Sequence, residues 1–176
     1  MKEETGQPFI LDFDSNHHAV IEPDHDQEPF HFHSRLLYAF VPKNEIDAFL
    51  DRHLHRTIGE FESVSFSPKI YEVELNGEYF TLCQAPLGGP ASVQLLDWLI
   101  SYGVNQVLTV GNAGALTDLP ENEMLLVKRA IRDEGTSFHY MEPGQFIDLK
   151  YDFLKQIENA LATFCLLYTS DAADDL

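Results

Sequence analysis

Basic residues are scarce in this sequence. Its 176 residues contain 11 Lys and Arg against 29 Asp and Glu, which gives a formal net charge of −18. A surface of this charge repels the phosphate backbone of nucleic acids and anionic membranes at long range. We therefore expect neither a nucleic-acid partner nor a membrane partner, although a small anion can still bind in a locally positive pocket.

Cysteines and long apolar runs are scarce as well. The two cysteines, Cys83 and Cys165, each lie in an apolar segment, which favours buried free thiols in a reducing compartment over a disulfide. The first ten residues carry charges and no apolar stretch, so they do not resemble a signal peptide. No apolar run approaches the roughly 20 residues that cross a bilayer. We expect a cytoplasmic protein.

Strand and helix patterns alternate along most of the chain. Residues 1–34 are polar and show no sustained periodicity, which predicts an extended arm, partly ordered around Ala19–Ile21. Later segments predict, in chain order, a buried strand Leu36–Val41, a helix capped by Asn44 and closed at Gly59, a hairpin that turns at Asn76–Gly77, a helix Pro90–Tyr102, buried strands Gln106–Gly111 and Glu123–Ile131, and a helix capped by Asp148. This order predicts an α/β fold with a hairpin inserted early.

A glycine-rich turn follows the second hairpin strand. In Leu87–Ser92 the glycines permit a tight loop, and Pro90 occupies the first helical position. Unpaired amides and the positive end of the helix dipole make such a helix start a candidate anion site. The same residues also suit a compact strand-to-helix turn that binds nothing.

A second turn of small residues, Thr109–Leu116, follows the next predicted strand. Small side chains at the end of a central strand leave room for a ligand against the backbone, where open α/β sheets bind their ligands. We expect the two turns to converge on one crevice.

Three segments resemble the nucleoside phosphorylase superfamily, which contains uridine and purine nucleoside phosphorylases. They are Gly88–Ser92, Val110–Leu116 and Ile131–Tyr140, in the order and spacing of that family. The similarity is best over residues 79–165. The resemblance implies a mixed central sheet with partial barrel character, flanked by helices, in a homo-oligomer whose neighbouring subunit completes the active site.

The resemblance also implies a reaction. Members of the family are pentosyltransferases that cleave the N-glycosidic bond of a nucleoside with inorganic phosphate as co-substrate and without a cofactor, giving a base and ribose 1-phosphate. By position, Gly88, Gly89, Gly111 and Asn112 are expected to face the phosphate and ribose, whereas Ala113 and Gly114 are expected to line the base pocket. Whether the base is a purine or a pyrimidine does not follow from these motifs.

Two positions depart from the uridine phosphorylase pattern. Thr109 stands where those enzymes commonly place a phosphate-binding arginine, and Val41–Asn44 replaces their glycine-aspartate phosphate loop. Lys43 can substitute only in part, as a point charge. These departures favour hydrolysis by water as the alternative reaction. A catalytically inert nucleoside-binding fragment is a third hypothesis.

The family's ribose-binding Met-Glu segment and its catalytic aspartate are expected downstream of this chain. We therefore leave the catalytic residues unassigned and expect residues 35–166 to be a partial nucleoside phosphorylase-like domain, C-terminally truncated and inactive alone. Residues 167–176 break the pattern and are expected to be a non-native tail.

A charged cluster follows the predicted strand that ends at Ile131. It contains Arg132, Asp133, Glu134 and His139. One interpretation is a salt-bridged strand end; the other is that Arg132 or His139 borders the site and contacts the substrate or a neighbouring subunit.

Two other site types have weaker support. His31 and His33 share one face of an extended segment, close to Glu22, Asp24, His25 and Asp26, and such side chains suit zinc or iron. Alternation alone produces such pairs, and no further ligand has a recognised spacing, so we expect no metal. A histidine of the arm that reaches a neighbouring site is another interpretation. A serine hydrolase is excluded because no Gly-x-Ser-x-Gly elbow is present.

Overall fold

The computed structural model describes residues 8–16, 18–120 and 124–163, which fall into two compact units. One unit comprises Ser15–Ala113, and the other contains the described residues of 1–14 and 114–176. Glu123 and Cys165, which figure in two of the predictions above, lie outside the described residues, as does the predicted tail.

The first unit is built on a five-stranded mixed sheet, in the order β2-β3-β4-β1-β5. β1 runs parallel to β4 and β5, whereas β3 runs antiparallel to β2 and β4. The strands and helices of this unit are β1 Arg35–Phe40, α1 Lys43–Leu50, β2 His55–Glu60, β3 Lys69–Leu75, β4 Glu78–Gln84, α2 Gly89–Ser101 and β5 Gln106–Gly111. The predicted α/β class, with a mixed sheet flanked by helices, is confirmed.

Alternate residues of the strands pack into two separate apolar clusters. On β1, Leu36 and Tyr38 pack with Leu95 and Leu99 of α2. Ala39 packs instead with residues of α1, β3 and β4 in the second cluster, whose buried members are Ala39, Ile46, Leu50, Val73 and Leu82. Because successive strand residues point to opposite faces, a nearly continuous apolar strand such as β1 is buried on both sides.

The β3–β4 hairpin forms as predicted. Asn76 and Gly77 have φ values of +54° and +82°, which is the left-handed pair that a two-residue type I′ turn requires. Leu75 pairs with Glu78 across the turn.

The predicted helix from Asn44 to Gly59 is wrong in its boundaries. α1 begins at Lys43 after Pro42, without a side-chain cap, and it ends at Leu50. Gly59 lies in β2, where an added Cβ would come within 3.2 Å of ring atoms of Phe30 and Phe32. The glycine is needed there because two aromatic rings pack against the strand, and not because it ends a helix.

Those two rings belong to the polar N-terminal segment. Phe30 stacks on Phe32, and both rings lie against Trp98 and Tyr102 of the α2 region. The Phe32 amide donates to the Tyr102 carbonyl over 2.9 Å. The end of the predicted arm is therefore part of the core of the first unit.

β5 was predicted to be buried and is not. Leu108 and Val110 are 40% and 38% exposed. β5 is an edge strand of the five-stranded sheet, paired with β1 alone, so its outer side has no neighbouring strand among the described residues.

The second unit contains a two-stranded antiparallel sheet of β6 Arg129–Ile131 and β7 Phe146–Asp148, followed by α3 Tyr151–Thr163. The predicted buried strand Glu123–Ile131 is reduced here to three exposed residues. β7 was not predicted, because Asp148 resembled a helix cap. Its carboxylate instead accepts a hydrogen bond from Arg129 Nε over 2.6 Å, across the strand pair.

Candidate functional site

The parallel strands β4, β1 and β5 place their carboxyl ends at one edge of the sheet. Ala39 is in register with Gln84 at the end of β4, and Phe40 is in register with Gly111 at the end of β5. The Gly88–Gly89 turn and the Gly111 turn therefore leave the same edge on either side of β1. Two strand spacings separate β4 from β5, or roughly 10 Å.

The turn after β4 leads into α2 with open space around Gly88. Gly88 has a φ of +97°, and an added Cβ at this position would meet no atom within 4 Å. The glycine is therefore required by the backbone conformation and not by crowding. α2 has no side-chain cap, and its first intrahelical bond runs from the Ser92 amide to the Gly88 carbonyl. The earlier amides of Gly89 and Ala91 have no intrahelical acceptor.

Two hydrogen bonds fix the start of α2 against the sheet. The buried hydroxyl of Tyr38 on β1 donates to the Ser92 carbonyl over 2.8 Å. The Ser92 hydroxyl donates to the Pro86 carbonyl over 3.2 Å. Burial raises the pKa of Tyr38 to about 12, so this hydroxyl remains a neutral donor at physiological pH.

The turn after β5 approaches β1 closely. A Cβ at Gly111 would lie 3.0 Å from Phe40 Cβ and 3.3 Å from the Phe40 carbonyl oxygen. Close packing against β1 is thus sufficient to explain why position 111 is a glycine. Asn112 and Ala113 follow it and are exposed.

A cavity of about 640 Å³ lies at the same edge of the sheet, entirely within the first unit. Its walls come from the ends of β1 and β4, the first turn of α2 and the loop before β3, and its lining residues are Phe40, Val41, Pro42, Ser65, Phe66, Ser67, Pro68, Gln84, Ala85, Pro86, Leu87 and Ala91. The volume falls in the range of small-molecule sites. Gln84 and the two serines were not predicted, because isolated neutral polar residues have no motif spacing.

Thr109 and Lys43, the two positions that bear on phosphate binding, offer little free positive charge. Thr109 pairs with Tyr38 in the middle of the β1–β5 ladder. Lys43 Nζ lies 2.6 and 2.7 Å from the two carboxylate oxygens of Asp47, and this contact raises the pKa of Lys43. The lysine that was considered as a substitute phosphate ligand is therefore already paired.

The other assigned positions, Gly114, Arg132 and His139, belong to the second unit. Arg132 is only 7% exposed, and its guanidinium donates to neutral oxygens. Its acceptors are the Ser137 hydroxyl at 2.9 Å and the carbonyls of Ser137, Met141 and Glu142 at 3.0, 3.3 and 2.6 Å. The guanidinium also lies 4.6 Å from the Phe138 ring centroid.

The interpretation of a salt-bridged strand end therefore fails for Arg132, which has no carboxylate partner within the described ranges. The Glu134 carboxylate instead accepts hydrogen bonds from the amides of Thr136 and Ser137, at 2.6 Å and 3.1 Å. The side chain of Ser137 first, and then these amides, lower the pKa of Glu134. His139 ends a short 3-10 helix, Ser137–His139, and is exposed.

His33, one of the two histidines considered as metal ligands, has a carboxylate partner. His33 Nε2 lies 2.6 Å from Glu72 Oε2, and Arg56 Nε donates to the other oxygen of Glu72 over 2.6 Å. The hydrogen bond from Arg56, and to a smaller extent the one with His33, lowers the pKa of the Glu72 carboxylate to about 2. Within the described part of the chain, no group of three or more His, Cys, Asp or Glu side chains is arranged to hold a metal ion.

Cys83 is buried and unpaired, and burial raises the pKa of its thiol to about 12. No helix in residues 8–16, 18–120 or 124–163 is long and apolar enough to cross a membrane.

Comparison of sequences gives two curated relatives. A uridine phosphorylase of Haemophilus influenzae is 26% identical over 91 residues, which span 51% of this chain and 34% of the relative. A guanosine phosphorylase of Halorubrum lacusprofundi is 29% identical over 93 residues, which span 52% of this chain and 39% of the relative. The aligned part is thus little more than a third of each relative.

Comparison of structures gives the same fold. A crystal structure of uridine phosphorylase from Vibrio fischeri matches with a TM-score of 0.66 at 20% identity, covering 85% of this chain and 59% of that one. Purine nucleoside phosphorylase from Toxoplasma gondii, in complex with immucillin-H, matches with a TM-score of 0.66 at 11% identity, covering 79% and 55%.

A profile of the phosphorylase superfamily matches residues 37–170. This match covers well over half of the sequence and includes both glycine turns. The chain belongs to the phosphorylase superfamily.

Proposed function

We propose that this chain is part of an enzyme that cleaves the N-glycosidic bond of a nucleoside with inorganic phosphate. A phosphate oxygen forms a bond to C1′ of the ribose, and the bond from C1′ to the base nitrogen breaks. The base leaves with the electron pair of that bond and takes up a proton. The products are a free base and ribose 1-phosphate, and no cofactor takes part.

The observation that carries this proposal is the shared edge of the two glycine turns. Gly88 and Gly89 follow β4, Gly111 follows β5, and both strands run parallel to β1 between them. Backbone amides on the two sides of β1 can therefore face one ligand. The relatives named as uridine and guanosine phosphorylases support the choice of reaction class.

The chemistry explains why amides suit this position. In glycosidic cleavage positive charge builds up on the sugar, so an anion held beneath the ring stabilises the transition state more than the substrate. The amides of Gly89 and Ala91 at the start of α2 supply donors and the positive end of a helix dipole. We assign Gly88, Gly89, Gly111 and Asn112 to the phosphate and ribose, and Ala113 and Gly114 to the base. Arg132 or His139 is assigned to the border of the site.

We propose that the catalytic group itself lies in sequence downstream of this chain, as the family resemblance implies; the aligned part is little more than a third of each curated relative. The proposal also requires a neighbouring subunit, which completes the active site. Residues 1–176 alone are then expected to bind ligands weakly and to turn over no nucleoside.

Hydrolysis is the second candidate, and three observations favour it. Thr109 offers no charge, Lys43 is paired with Asp47, and the cavity beside the Gly88 turn is lined by uncharged residues. In this reaction water takes the place of phosphate and the sugar product is free ribose.

The test measures release of base from uridine and from guanosine by chromatography, with and without inorganic phosphate. The assay uses the complete protein, expressed from the gene that continues beyond the partial domain, and the 176-residue chain is assayed in parallel. Base release that requires phosphate and yields ribose 1-phosphate is the expected result. Equal release without phosphate establishes hydrolysis instead, and nucleoside binding without any turnover would show a noncatalytic binding protein. Efficient turnover by the 176-residue chain would contradict the placement of the catalytic group downstream.

A further inference from the structure

The turn of the β3–β4 hairpin is the one place in the sequence where an asparagine precedes a glycine. Asn76 and Gly77 are both exposed, and an added Cβ at Gly77 would meet no atom within 4 Å. Asparagine is thermolabile, and most so before glycine, because no side chain then hinders the glycine nitrogen when it attacks the asparagine side chain. Asn76 is therefore a candidate for spontaneous deamidation.

The reaction needs no partner other than water. The Gly77 nitrogen gives up its proton and forms a bond to Asn76 Cγ, and the bond from Cγ to Nδ2 breaks, so that ammonia leaves and a five-membered succinimide remains. Water then opens this ring. Cleavage between the Gly77 nitrogen and Asn76 Cγ gives aspartate, whereas cleavage between the same nitrogen and the main-chain carbonyl carbon of Asn76 gives isoaspartate. Either product carries a carboxylate in place of the neutral amide.

The folded turn opposes the first step of this reaction. The succinimide ring contains the Cα–C bond of Asn76, so the Gly77 nitrogen must rotate to the same side of that bond as Asn76 Cβ. The φ values of +54° and +82° belong to a type I′ turn, in which the ψ of the first central residue is about 30°. At this ψ the nitrogen lies nearly opposite Cβ, and the ring cannot close unless the turn opens.

The pairing of β3 with β4 holds the turn in this conformation. Leu75 pairs with Glu78 directly beside the turn. Farther along the two strands, Val73 and Leu82 are buried in the second apolar cluster. Rotation about the Cα–C bond of Asn76 therefore requires the end of the hairpin to separate, which is a local unfolding event.

We propose that Asn76 is a deamidation site that the folded hairpin protects, and that opening of the hairpin allows its conversion to aspartate and isoaspartate. The proposal is independent of the reaction proposed above. Aspartate tolerates the left-handed conformation that Asn76 has in the turn. Isoaspartate adds a methylene group to the backbone, so the two-residue turn can no longer form in the same register. The isoaspartate product thus prevents the hairpin from closing again as before.

The experiment incubates the 176-residue chain in a mildly alkaline buffer, once folded and once in urea above its unfolding midpoint. Chromatography and mass spectrometry of proteolytic peptides measure both products at Asn76. We expect conversion to be about tenfold or more faster in urea, because the rate in the folded chain scales with the fraction of open hairpin. Asn112 is the internal control: it is also exposed but precedes Ala113, so it should convert much more slowly than Asn76 in urea.

A variant tests whether the hairpin is the source of the protection. Val73→Ala removes buried contacts of β3 without touching the turn, and it should speed conversion in the folded chain about threefold or more while conversion in urea is unchanged. Val64→Ala, at a fully exposed valine of the loop before β3, is the matched control and should convert like the parent chain. If Val73→Ala does not fold, the comparison of the folded and unfolded parent chain decides the proposal alone.

Equal conversion in the folded chain and in urea would overturn the protection by the turn. No conversion at Asn76 in urea would overturn the site itself. The products give a further check: Asn76→Asp, which reproduces the aspartate product, should keep the melting temperature of the parent chain, whereas the isolated isoaspartate form should melt at a lower temperature. Equal melting of these two forms would contradict the requirement for a two-residue turn.

Discussion

At the scale of single residues, the glycines of the candidate site have different physical reasons to be glycine. Gly88 needs its positive φ and has open space around it, whereas Gly111 has an ordinary φ and no space for a side chain. The sequence pattern treated the two alike. Only the register between β1 and β5 shows that Phe40 stands opposite Gly111.

Gly111→Ala should destabilise the chain. Its new methyl group would lie 3.0 Å from Phe40 Cβ, and relieving this contact requires β1 or β5 to shift. We expect the free energy of unfolding to fall by about 1–3 kcal/mol in urea titrations, the usual cost of overpacking. Gly114→Ala is the control, because nothing lies within 4 Å of an added Cβ there and its φ is not positive. Equal losses in the two variants would contradict the packing argument.

Glu72 gives a prediction about acid stability. Its pKa is lowered from 4.5 to about 2 by Arg56 and His33, so the folded state holds this carboxylate ionised more firmly than the unfolded chain does. The resulting stabilisation is complete above pH 4.5 and is lost as the pH falls towards 2. Glu72→Gln should therefore show a weaker loss of stability between pH 4.5 and 2 in thermal melts.

The matched control is Glu74→Gln, two residues along the same strand, where the carboxylate accepts from the Tyr79 hydroxyl over 3.2 Å and has no basic partner among the residues that the structure describes. Its melting temperature should follow the parent chain across this pH range. If Glu72→Gln instead keeps the full acid-dependent loss, the cluster of Glu72, Arg56 and His33 does not control it.

At the scale of elements, the sequence predicted best where a local signal and the tertiary packing agree. The β3–β4 hairpin has both alternation and an Asn-Gly turn, and α2 has proline at its start and glycine after its end. α1 and β2 show the opposite case. The apolar spacing there continues past Leu50, but the backbone after it pairs with β3 instead of continuing the helix.

Besides the boundaries of α1 and β2, the burial of β5 and β6 could not be predicted from the sequence. An apolar run predicts a strand but does not say how many neighbours the strand has. In the described part of the chain β5 pairs with β1 alone, and β6 belongs to a separate two-stranded sheet, so both are more exposed than their composition indicates. The partners of Arg132 could not be predicted either, because they are a serine hydroxyl and backbone carbonyls and not charged side chains.

α2 is the element on which the candidate site depends, and its packing can be tested directly. Leu95 is fully buried against the sheet, so Leu95→Ala should cost about 2–5 kcal/mol of unfolding free energy. Ile100, on the same helix, is 47% exposed, and Ile100→Ala should cost clearly less. Chemical denaturation of both variants measures the difference. Similar costs would mean that α2 is not seated on the sheet as described.

At the scale of the whole molecule, the net charge of −18 gives the proposed anion site its physical setting. Within the first unit Lys43 is paired with Asp47, so we expect the proposed anion site at the carboxyl edge of the sheet to depend on backbone amides. Both turns were predicted to meet there, and the parallel strands bring them to one edge. The division of the chain into two units was not predicted, since no change of composition marks Ala113.

We propose that the backbone amides on both sides of β1 form one binding site for the phosphate and the ribose. Its most direct test is a two-dimensional ¹H–¹⁵N NMR titration of the 176-residue chain with uridine and inorganic phosphate together. We expect the amide signals of Gly88, Gly89, Gly111 and Asn112 to shift along one binding curve with a single dissociation constant. Shifts confined to one of the two turns, or two unrelated curves, would contradict the claim.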